Sequence, residues 1–281
     1  MIDRYISDDR LWEKAKRSRR YVTNLLRDSM LANVQTDELT PQNLIDYCRL
    51  RNDAGASPTT VRIDISVLRS TMRLMSSAHA ISVDLSVIDN TVPILFELGL
   101  VSKSKRRSRR PTEKEIERIK KALLKRQANV RTKIPYIDIF DFSILSCMRI
   151  GEVCKLRWDD LDTKSKAVLV RDRKDPRKKE GNHMWCPLLG GAFEIVSRQP
   201  KKGELIFPYQ SKSVTAAFQR VRKDLGIVDL RYHDLRREGA SRLFERGYSI
   251  DEVARVTGHR NINMLWQVYT ELYPGKMRDL F

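Results

Sequence analysis

The sequence predicts a mainly α-helical protein of two domains, with a small antiparallel β-sheet or hairpin in the second domain. Three observations support this fold class. Apolar residues recur at helical spacing in most segments, residues 102–110 are basic and contain no apolar residue, and strand patterns are confined to about 167–188. We therefore divide the 281 residues into a helical domain at 1–101, a basic linker at 102–111 and a second domain at 112–281.

The first domain contains repeated helix-start signals. Thr40-Pro41 places an N-cap residue before a proline at the first helical position, and Gly55 ends that helix near residue 54. Ser57-Pro58 repeats the signal before a longer helix, and an earlier helix is predicted from about Leu11 to Met30. One face of the longer helix is apolar, through Val61, Ile65, Leu68, Met72 and Met75. The pattern favours a helical bundle core.

The second domain begins with a capping box in which Thr112 and Glu115 precede an apolar helical pattern. A second box, Ser249 with Glu252, begins a later helix. The two short strands are predicted at 167–170 and 184–188. The helices are predicted at about 113–127, 135–147, 190–198, 213–225, 233–246, 250–256 and 261–271.

The charge balance indicates a polyanionic partner. The chain has 54 Lys and Arg against 36 Asp and Glu, a net charge of +18, and its pI is near 9.9. Both predicted domains share the excess, so it is not confined to one tail. Nucleic acid is the commonest partner for such a protein, and a generally basic surface is the alternative.

Several classes of protein lack support in the sequence. The longest mainly apolar run, 92–101, is too short to span a bilayer, and we expect no secretory signal. The four cysteines form no C-x-x-C pair, so we expect reduced thiols, no zinc cluster and a cytoplasmic location. No P-loop, H-E-x-x-H, G-x-S-x-G or close carboxylate cluster is present. We therefore expect that the protein uses no ATP and binds no metal or other cofactor.

Five segments of the second domain, in order along the chain, resemble the sequence boxes of tyrosine recombinases, the phage integrase family. They are Cys147-Met148-Arg149-Ile150-Gly151-Glu152-Val153 continuing to Asp162, Arg173-Lys174-Asp175-Pro176 continuing to Leu188, His233-Asp234-Leu235-Arg236, Thr257-Gly258-His259, and Tyr269. The resemblance covers about residues 112–273. It implies an α+β tyrosine-recombinase catalytic domain that follows a helical, SAM-like core-DNA-binding domain.

The resemblance implies that Arg149 and Arg236 bind the scissile phosphate. Two guanidiniums suit a phosphorane-like transition state because each is a planar fork of donors that stays charged. From its own sequence context, Arg149 has an alternative role in a buried ion pair with Glu152. The resemblance implies that Glu152 orients a neighbouring cation or histidine and does not touch the substrate.

Three further residues receive roles from the resemblance. His233 is implied to be an acid/base group near the nucleophile, and it shares one helix face with Arg236 because the two are three residues apart. His259 is implied to donate a hydrogen bond to the phosphate. Lys174 is implied to protonate the departing 5′-oxygen, although the register within the basic stretch 171–180 is open.

Tyr269 is implied to be the nucleophile that forms a 3′-phosphotyrosine. A phenol has a pKa near 10 and needs a base and a positive field to attack at neutral pH. The spacing of ten residues from His259 to Tyr269 is one longer than many relatives show. Tyr273 is the main rival, at a still longer spacing, and Tyr248 is a weaker one.

The resemblance also implies contacts with duplex DNA from the first domain and the linker. The candidates are Arg62, Arg69, Arg73, Lys103, Lys105, Arg106 and Arg107. Their alternative role is as solvated surface charges. The implied assembly is a homotetramer on DNA that is associated with the nucleoid, and a directionality factor is left open as an accessory partner.

The function implied is that of a site-specific DNA recombinase, the integrase of a mobile element. It would cut and rejoin DNA without ATP or metal. Two alternatives stay open at this point. One is a DNA relaxer similar to type IB topoisomerases, which shares the chemistry, and the other is a catalytically inactive DNA-binding regulator.

Overall fold

The chain divides into two compact units, Met1–Arg106 and Arg107–Phe281, and each unit has its own buried apolar cluster. The computed structural model describes residues 1–104, 107–129, 133–173, 181–259 and 261–273. Within these ranges, no helix combines the length and the apolar character that a membrane span requires.

The first unit is helical throughout. Its helices are α1 (Ile2–Ser7), α2 (Asp9–Lys14), α3 (Arg17–Arg27), a 3-10 turn at Met30–Asn33, α4 (Pro41–Asp53), α5 (Pro58–His79) and α6 (Ser86–Glu97). Thr40 caps α4, and the Ser57 hydroxyl accepts a hydrogen bond from the backbone N–H of Thr60 at the start of α5. All five residues of the predicted apolar stripe on α5 are buried, which confirms the predicted core face.

Two elements of the first unit differ from the prediction. The helix expected from Leu11 to Met30 is interrupted at Ala15, which is extended. At the end of α2 the Trp12 carbonyl accepts hydrogen bonds from the Ala15 backbone N–H (3.0 Å) and from Arg20 (2.8 Å). Helix α6 is absent from the predicted elements because its interior residue Pro93 normally marks a helix end.

The second unit combines helices with one small sheet. Its elements are α7 (Glu113–Gln127), α8 (Tyr136–Leu145), α9 (Ile150–Val153), a 3-10 turn at Trp158–Asp160, β1 (Leu161–Asp162), β2 (Ala167–Val170), β3 (Met184–Pro187), α10 (Ala192–Ser197), α11 (Ser211–Asp224), α12 (Asp234–Glu245), α13 (Ile250–Thr257) and α14 (Asn263–Leu272). Both predicted capping boxes are present at the starts of α7 and α13. The predicted fold class, mainly helical with a small antiparallel sheet, is confirmed.

The sheet has the order β1-β2-β3 and is antiparallel. Val168 lies opposite Cys186, and both are buried on the face that contributes to the core. Trp185 on the other face is exposed, as the two-residue period of a strand requires. The inner face of the sheet therefore packs against the helices of the core. Strand β2 ends next to the basic stretch 171–180.

The second half of the predicted linker belongs to the second unit. Arg107 pairs with Asp234 (2.7 Å), and Arg110 pairs with Glu238 (2.8 Å). These arginines are half-buried, which corrects the expectation of an exposed run at 102–110. The sequence could not show this, because the carboxylates that bind them come from α12, more than a hundred residues away.

Gly239 allows α12 to lie directly against α8. A Cβ atom at Gly239 would overlap the carbonyl oxygen of Ile144 and would lie 2.6 Å from Sγ of Cys147. The clash would be with backbone, which cannot rotate away. Because α12 also carries the predicted residue Arg236, this close approach sets the position of the candidate site.

We predict that Gly239→Ala destabilises the second unit by about 3 kcal/mol, since overpacking against backbone must separate α8 from α12. The thermal midpoint should fall by roughly 6–12 °C for a unit of this size. Gly203→Ala is the matched control, because no atom lies within 4 Å of the added Cβ. Equal midpoints for the two variants in a calorimetric scan would contradict the close approach.

Candidate active site

The start of α12 brings His233 and Arg236 to one end of a helix. His233 is the N-cap residue, and its carbonyl accepts a hydrogen bond from the backbone N–H of Arg236 (3.2 Å). The His233 residue is exposed, whereas Arg236 is only 4% exposed. Although the residue is accessible, neighbouring protein atoms partly desolvate its ring, and this desolvation together with the charges of Arg236 and Arg149 holds the pKa of His233 below its ordinary value. This histidine is therefore neutral near pH 7 and able to accept a proton.

The Arg236 guanidinium joins two segments that are distant in the sequence. It donates one hydrogen bond to the carbonyl of Cys147 and one to the carbonyl of Thr257, each at 2.6 Å. Thr257 is the last residue of α13, where carbonyls lack helical partners and carry partial negative charge. Burial and the nearby charges of Arg149 and Arg173 lower the pKa of Arg236 to about 10, so it stays charged at pH 7.

Arg149 lies at the N-cap of α9 and contacts Glu152 twice. Its Nη1 donates to Oε1 of Glu152 (2.8 Å), and its backbone N–H donates to Oε2 (3.0 Å). Burial raises the pKa of Glu152, but the Arg173 charge and the hydrogen bonds from Arg149 outweigh it, and the net pKa is below the ordinary value. The ion pair weighed in the sequence analysis is thus present. It leaves the Arg149 side chain 29% exposed and able to meet a ligand.

Arg173 is a member of the cluster that the sequence analysis missed. It lies in the basic stretch 171–180, where the sequence gives a role only to Lys174, yet its side chain is 1% exposed. Its Nε lies 3.6 Å from Oε2 of Glu152, and its Nη2 donates to the carbonyl of Val256 (3.2 Å). The residue follows a strand in which buried and exposed positions alternate, yet it lies past the strand end, so periodicity carries no signal for its burial.

His259 follows the turn at the end of α13. Its Nδ1 lies 2.8 Å from the hydroxyl of Thr257, and that hydroxyl already donates to the carbonyl of Val253 (2.7 Å). The hydrogen of the neutral ring therefore belongs to Nδ1, and Nη2 of Arg236 lies 3.3 Å from Nε2 and 3.5 Å from Nδ1. Burial and the charges of Arg236, Arg149 and Arg173 lower the pKa of His259 to about 3.

Tyr269 lies in an aromatic cluster on α14. Its ring is stacked with Trp266 (centroids 5.9 Å apart), meets Phe244 edge-on (5.5 Å) and is tilted against Tyr273 (5.0 Å). The Tyr273 hydroxyl donates to the Phe244 carbonyl (2.9 Å). Among the contacts of the described residues, none joins the Tyr269 hydroxyl to the arginines or histidines of the cluster. The fold thus assembles the cations and holds the predicted nucleophile in a separate apolar setting.

A groove opens beside Arg149. It has a volume of about 500 Å³ and lies between α9 and the ends of the strands, and basic side chains line much of it. Lys155 is exposed, Arg171 pairs with Asp160 (2.8 Å), and Arg157 pairs with Glu204. The groove is therefore open to solvent next to the cation cluster, and Arg149 and Lys155 supply cations that could meet a sugar-phosphate backbone.

The candidate DNA contacts on α5 differ in their surroundings. Arg62 is exposed and lies over the ring of Phe96 (5.4 Å to the centroid). Arg69 forms a bidentate pair with Asp89, with Nη2 to Oδ2 at 2.7 Å. Arg73 is exposed and has no ion pair within the described part of the chain. All three stay predictions, with Arg73 the most accessible.

The linker candidates are placed only in part. Lys103 is exposed, and Arg107 pairs with Asp229 (2.7 Å) as well as with Asp234. Lys105, Arg106 and Lys174 lie outside the described residues, so their predicted roles are not tested. Across the described ranges, no group of three or more His, Cys, Asp or Glu side chains is arranged to hold a metal.

Comparison with known proteins gives consistent matches. The family model of the phage integrase family matches residues 109–276. A shufflon-specific DNA recombinase of Escherichia coli is 28% identical over 284 residues, which covers 96% of this chain and 70% of that protein.

Solved structures match over most of the chain. The Tn1549 transposon integrase in complex with a circular intermediate DNA has a TM-score of 0.73 at 14% identity and covers 95% of this chain and 94% of its own. A lambda integrase tetramer bound to a Holliday junction has a TM-score of 0.68 at 18% identity, with 92% and 76% covered. These likenesses establish a shared fold.

We predict that His259 makes folding sensitive to acid. Its pKa is lower in the folded protein than in the unfolded chain, so the unfolded state binds more protons between about pH 6.5 and pH 3. Stability is therefore lost as the pH falls through this window. For a ring that is partly solvated, we expect about 1 kcal/mol of this loss by pH 5.

The measurement is urea unfolding of wild type and His259→Asn at pH 7 and pH 5. The variant should lose about 1 kcal/mol less than wild type between the two pH values. Equal losses would contradict a buried neutral imidazole.

Proposed function

Because the chain belongs to the phage integrase family of tyrosine recombinases, which break and rejoin DNA, we propose that it is the integrase of a mobile element. It recombines specific sites in duplex DNA through a 3′-phosphotyrosine intermediate, without ATP or metal. The charge of the cluster supports this most directly. Three guanidiniums, from Arg149, Arg173 and Arg236, face the single carboxylate of Glu152, which leaves a charge of +2 beside the basic groove.

This excess charge suits a phosphodiester better than a neutral or cationic ligand. In the transition state of cleavage, negative charge grows on the non-bridging oxygens, and donors fixed in advance stabilise it without further reorganisation. The two carbonyl hydrogen bonds of Arg236 hold its guanidinium in place before DNA arrives. Arg149, which is partly exposed, supplies a second guanidinium that can donate hydrogen bonds to the phosphate.

The proposed reaction exchanges one ester for another. The Tyr269 oxygen forms a bond to phosphorus while the bond from phosphorus to the 5′-oxygen breaks. His233 accepts the phenolic proton, and Lys174 gives a proton to the departing 5′-oxygen. The DNA then holds a 3′-phosphotyrosine and a free 5′-hydroxyl, and attack by a 5′-hydroxyl from the partner strand reverses the step.

His259 changes its protonation state in this proposal. In the free protein its pKa is about 3, so the ring is neutral. Its one hydrogen is on Nδ1, which contacts the Thr257 hydroxyl, so Nε2 has none to donate to a phosphate. A phosphate anion within contact distance favours the imidazolium and raises this pKa. Binding of DNA would therefore bring a proton to His259 and turn Nε2 into a donor.

Recombination also requires an assembly on DNA. We propose that the first unit contacts the duplex through Arg62, Arg69 and Arg73 and that four chains act together in the nucleoid of the cytoplasm. The lambda integrase tetramer on a Holliday junction provides the precedent for this assembly. An accessory directionality factor is compatible with the proposal.

We predict that Tyr269→Phe abolishes covalent trapping on DNA. The probe is a nicked suicide duplex that carries the junction between the joined ends of the element encoding this chain. Wild type should yield a complex that survives detergent, and Tyr273→Phe should yield it too, because the Tyr273 hydroxyl is bound to the Phe244 carbonyl. Covalent trapping of Tyr269→Phe at the wild-type level would exclude Tyr269 as the nucleophile.

The same preparation distinguishes the competing functions. Relaxation of plasmids that lack the junction would favour the topoisomerase-like alternative. Specific binding without any covalent complex of the wild-type chain would favour an inactive regulator. Cleavage that requires magnesium and leaves no protein-linked end would overturn the proposal.

We predict that duplex binding weakens steeply with salt, because each neutralised phosphate releases counterions. Arg73→Ala should reduce the slope of log K against log salt by about 1. Arg69→Ala is the matched comparison on the same helix, and its effect should be smaller since Asp89 already neutralises Arg69. A salt slope unchanged by Arg73→Ala in fluorescence anisotropy would remove this residue from the interface.

A further inference from the structure

Arg173 is buried more completely than the other arginines of the cluster. Its side chain is 1% exposed, compared with 4% for Arg236 and 29% for Arg149. A guanidinium buried to this extent is costly unless several groups compensate its charge. Such a residue is unlike a phosphate contact, because DNA cannot reach it. Its role must therefore be carried by the groups that surround it.

One of these groups is Glu152. Oε2 of Glu152 accepts a hydrogen bond from the backbone N–H of Arg149 (3.0 Å) and lies 3.6 Å from Nε of Arg173, while Oε1 is bound to Nη1 of Arg149 (2.8 Å). The carboxylate is thus shared between two cations. Without Arg173, the whole attraction of this half-buried carboxylate would act on Arg149 and hold it away from a phosphate.

The second group is the turn that carries His259. Nη2 of Arg173 donates to the carbonyl of Val256 (3.2 Å), one residue before the end of α13. Gly258 follows with φ +69°, and a Cβ atom there would overlap the Arg173 guanidinium. The turn at Gly258 therefore packs directly against the Arg173 side chain.

We propose that Arg173 is a positioning residue for DNA cleavage, which sets Arg149, through Glu152, and His259, through the turn at Gly258, at their places around the phosphate. This inference rests on the proposed function. Arg173 links two parts of the cluster that are more than a hundred residues apart in the sequence. It touches neither the substrate nor the reacting atoms.

Two other roles for Arg173 give different results when it is replaced. A residue that only supports the fold would alter stability but not the rate of cleavage by folded protein. A residue that acts through its sequence neighbour Lys174 would alter protonation of the leaving group. A defect in protonation of the leaving group disappears when sulfur replaces the departing 5′-oxygen, since a thiolate leaves without a proton.

The experiment measures cleavage of the nicked suicide duplex by Arg173→Met and Arg173→Lys, with the 5′-oxygen and with a bridging sulfur. Arg242→Met is the stability control, because Arg242 also binds a buried carboxylate, that of Glu238 (2.6 Å), but lies outside the cluster. Binding of the duplex and thermal midpoints are recorded for each variant.

We expect Arg173→Met to cleave on the order of 10²-fold more slowly on both substrates, as misplaced phosphate-binding groups do, while it binds the duplex within about threefold of wild type. Arg173→Lys keeps the positive charge but loses the planar arrangement of guanidinium donors. We expect its cleavage rate to lie between those of wild type and Arg173→Met. Arg242→Met should lower the midpoint and leave the rate unchanged.

Three outcomes would overturn the proposal: wild-type rates in both Arg173 variants, full recovery of Arg173→Met on the sulfur substrate, or an equal loss of rate in Arg242→Met. If Arg173→Met does not fold, the test is the rate at which Arg173→Lys cleaves the suicide duplex. A wild-type cleavage rate in that variant overturns the proposal. Failure of the wild-type chain to cleave at all would instead count against the proposed function.

Discussion

The active-site cluster depends on the buried guanidinium of Arg236. This side chain is held between the carbonyls of Cys147 and Thr257, which are more than a hundred residues apart in the sequence. A buried cation with two short hydrogen bonds to backbone is stable only when both segments are in place. Folding therefore assembles the cluster as one piece, and Gly239 permits it because it lets α12 lie against α8. The cations are fixed before any ligand binds.

The arginines of the second unit differ in how far carboxylates compensate their charge. On the flank of α12, Arg110 and Arg242 share the buried carboxylate of Glu238, and each has a further carboxylate partner. In the cluster, Arg149 and Arg173 share the carboxylate of Glu152, and Arg236 is bound to two backbone carbonyls instead of a carboxylate. Positive charge is thus compensated by carboxylates on this flank of α12 and left in excess beside the groove. The net charge of +18 could not reveal this distinction, since it treats every arginine alike.

Local signals in the sequence predicted much of the fold. The capping box of Thr112 and strand β2 were placed correctly because they depend on neighbouring residues, and the family resemblance of the sequence boxes is confirmed by the family model. The burial of Arg173 depends on a partner that the fold brings in from a distant segment, so no local pattern encodes it. The break at Ala15 involves a short-range contact between Arg20 and Trp12, for which the apolar pattern carries no signal. The site residues are placed by the structure, and their catalytic roles stay predictions.

The separation of Tyr269 from the cations has an energetic consequence for the proposed mechanism. Its contacts with Phe244, Trp266 and Tyr273 are each worth about 0.5–1.5 kcal/mol beyond burial, so release of the ring costs on the order of 2–4 kcal/mol. A ligand shifts such an equilibrium only by its difference in affinity for the two states. DNA must therefore bind more tightly to the released state by at least this amount. In the proposed mechanism, attack by Tyr269 therefore follows only after substrate has bound.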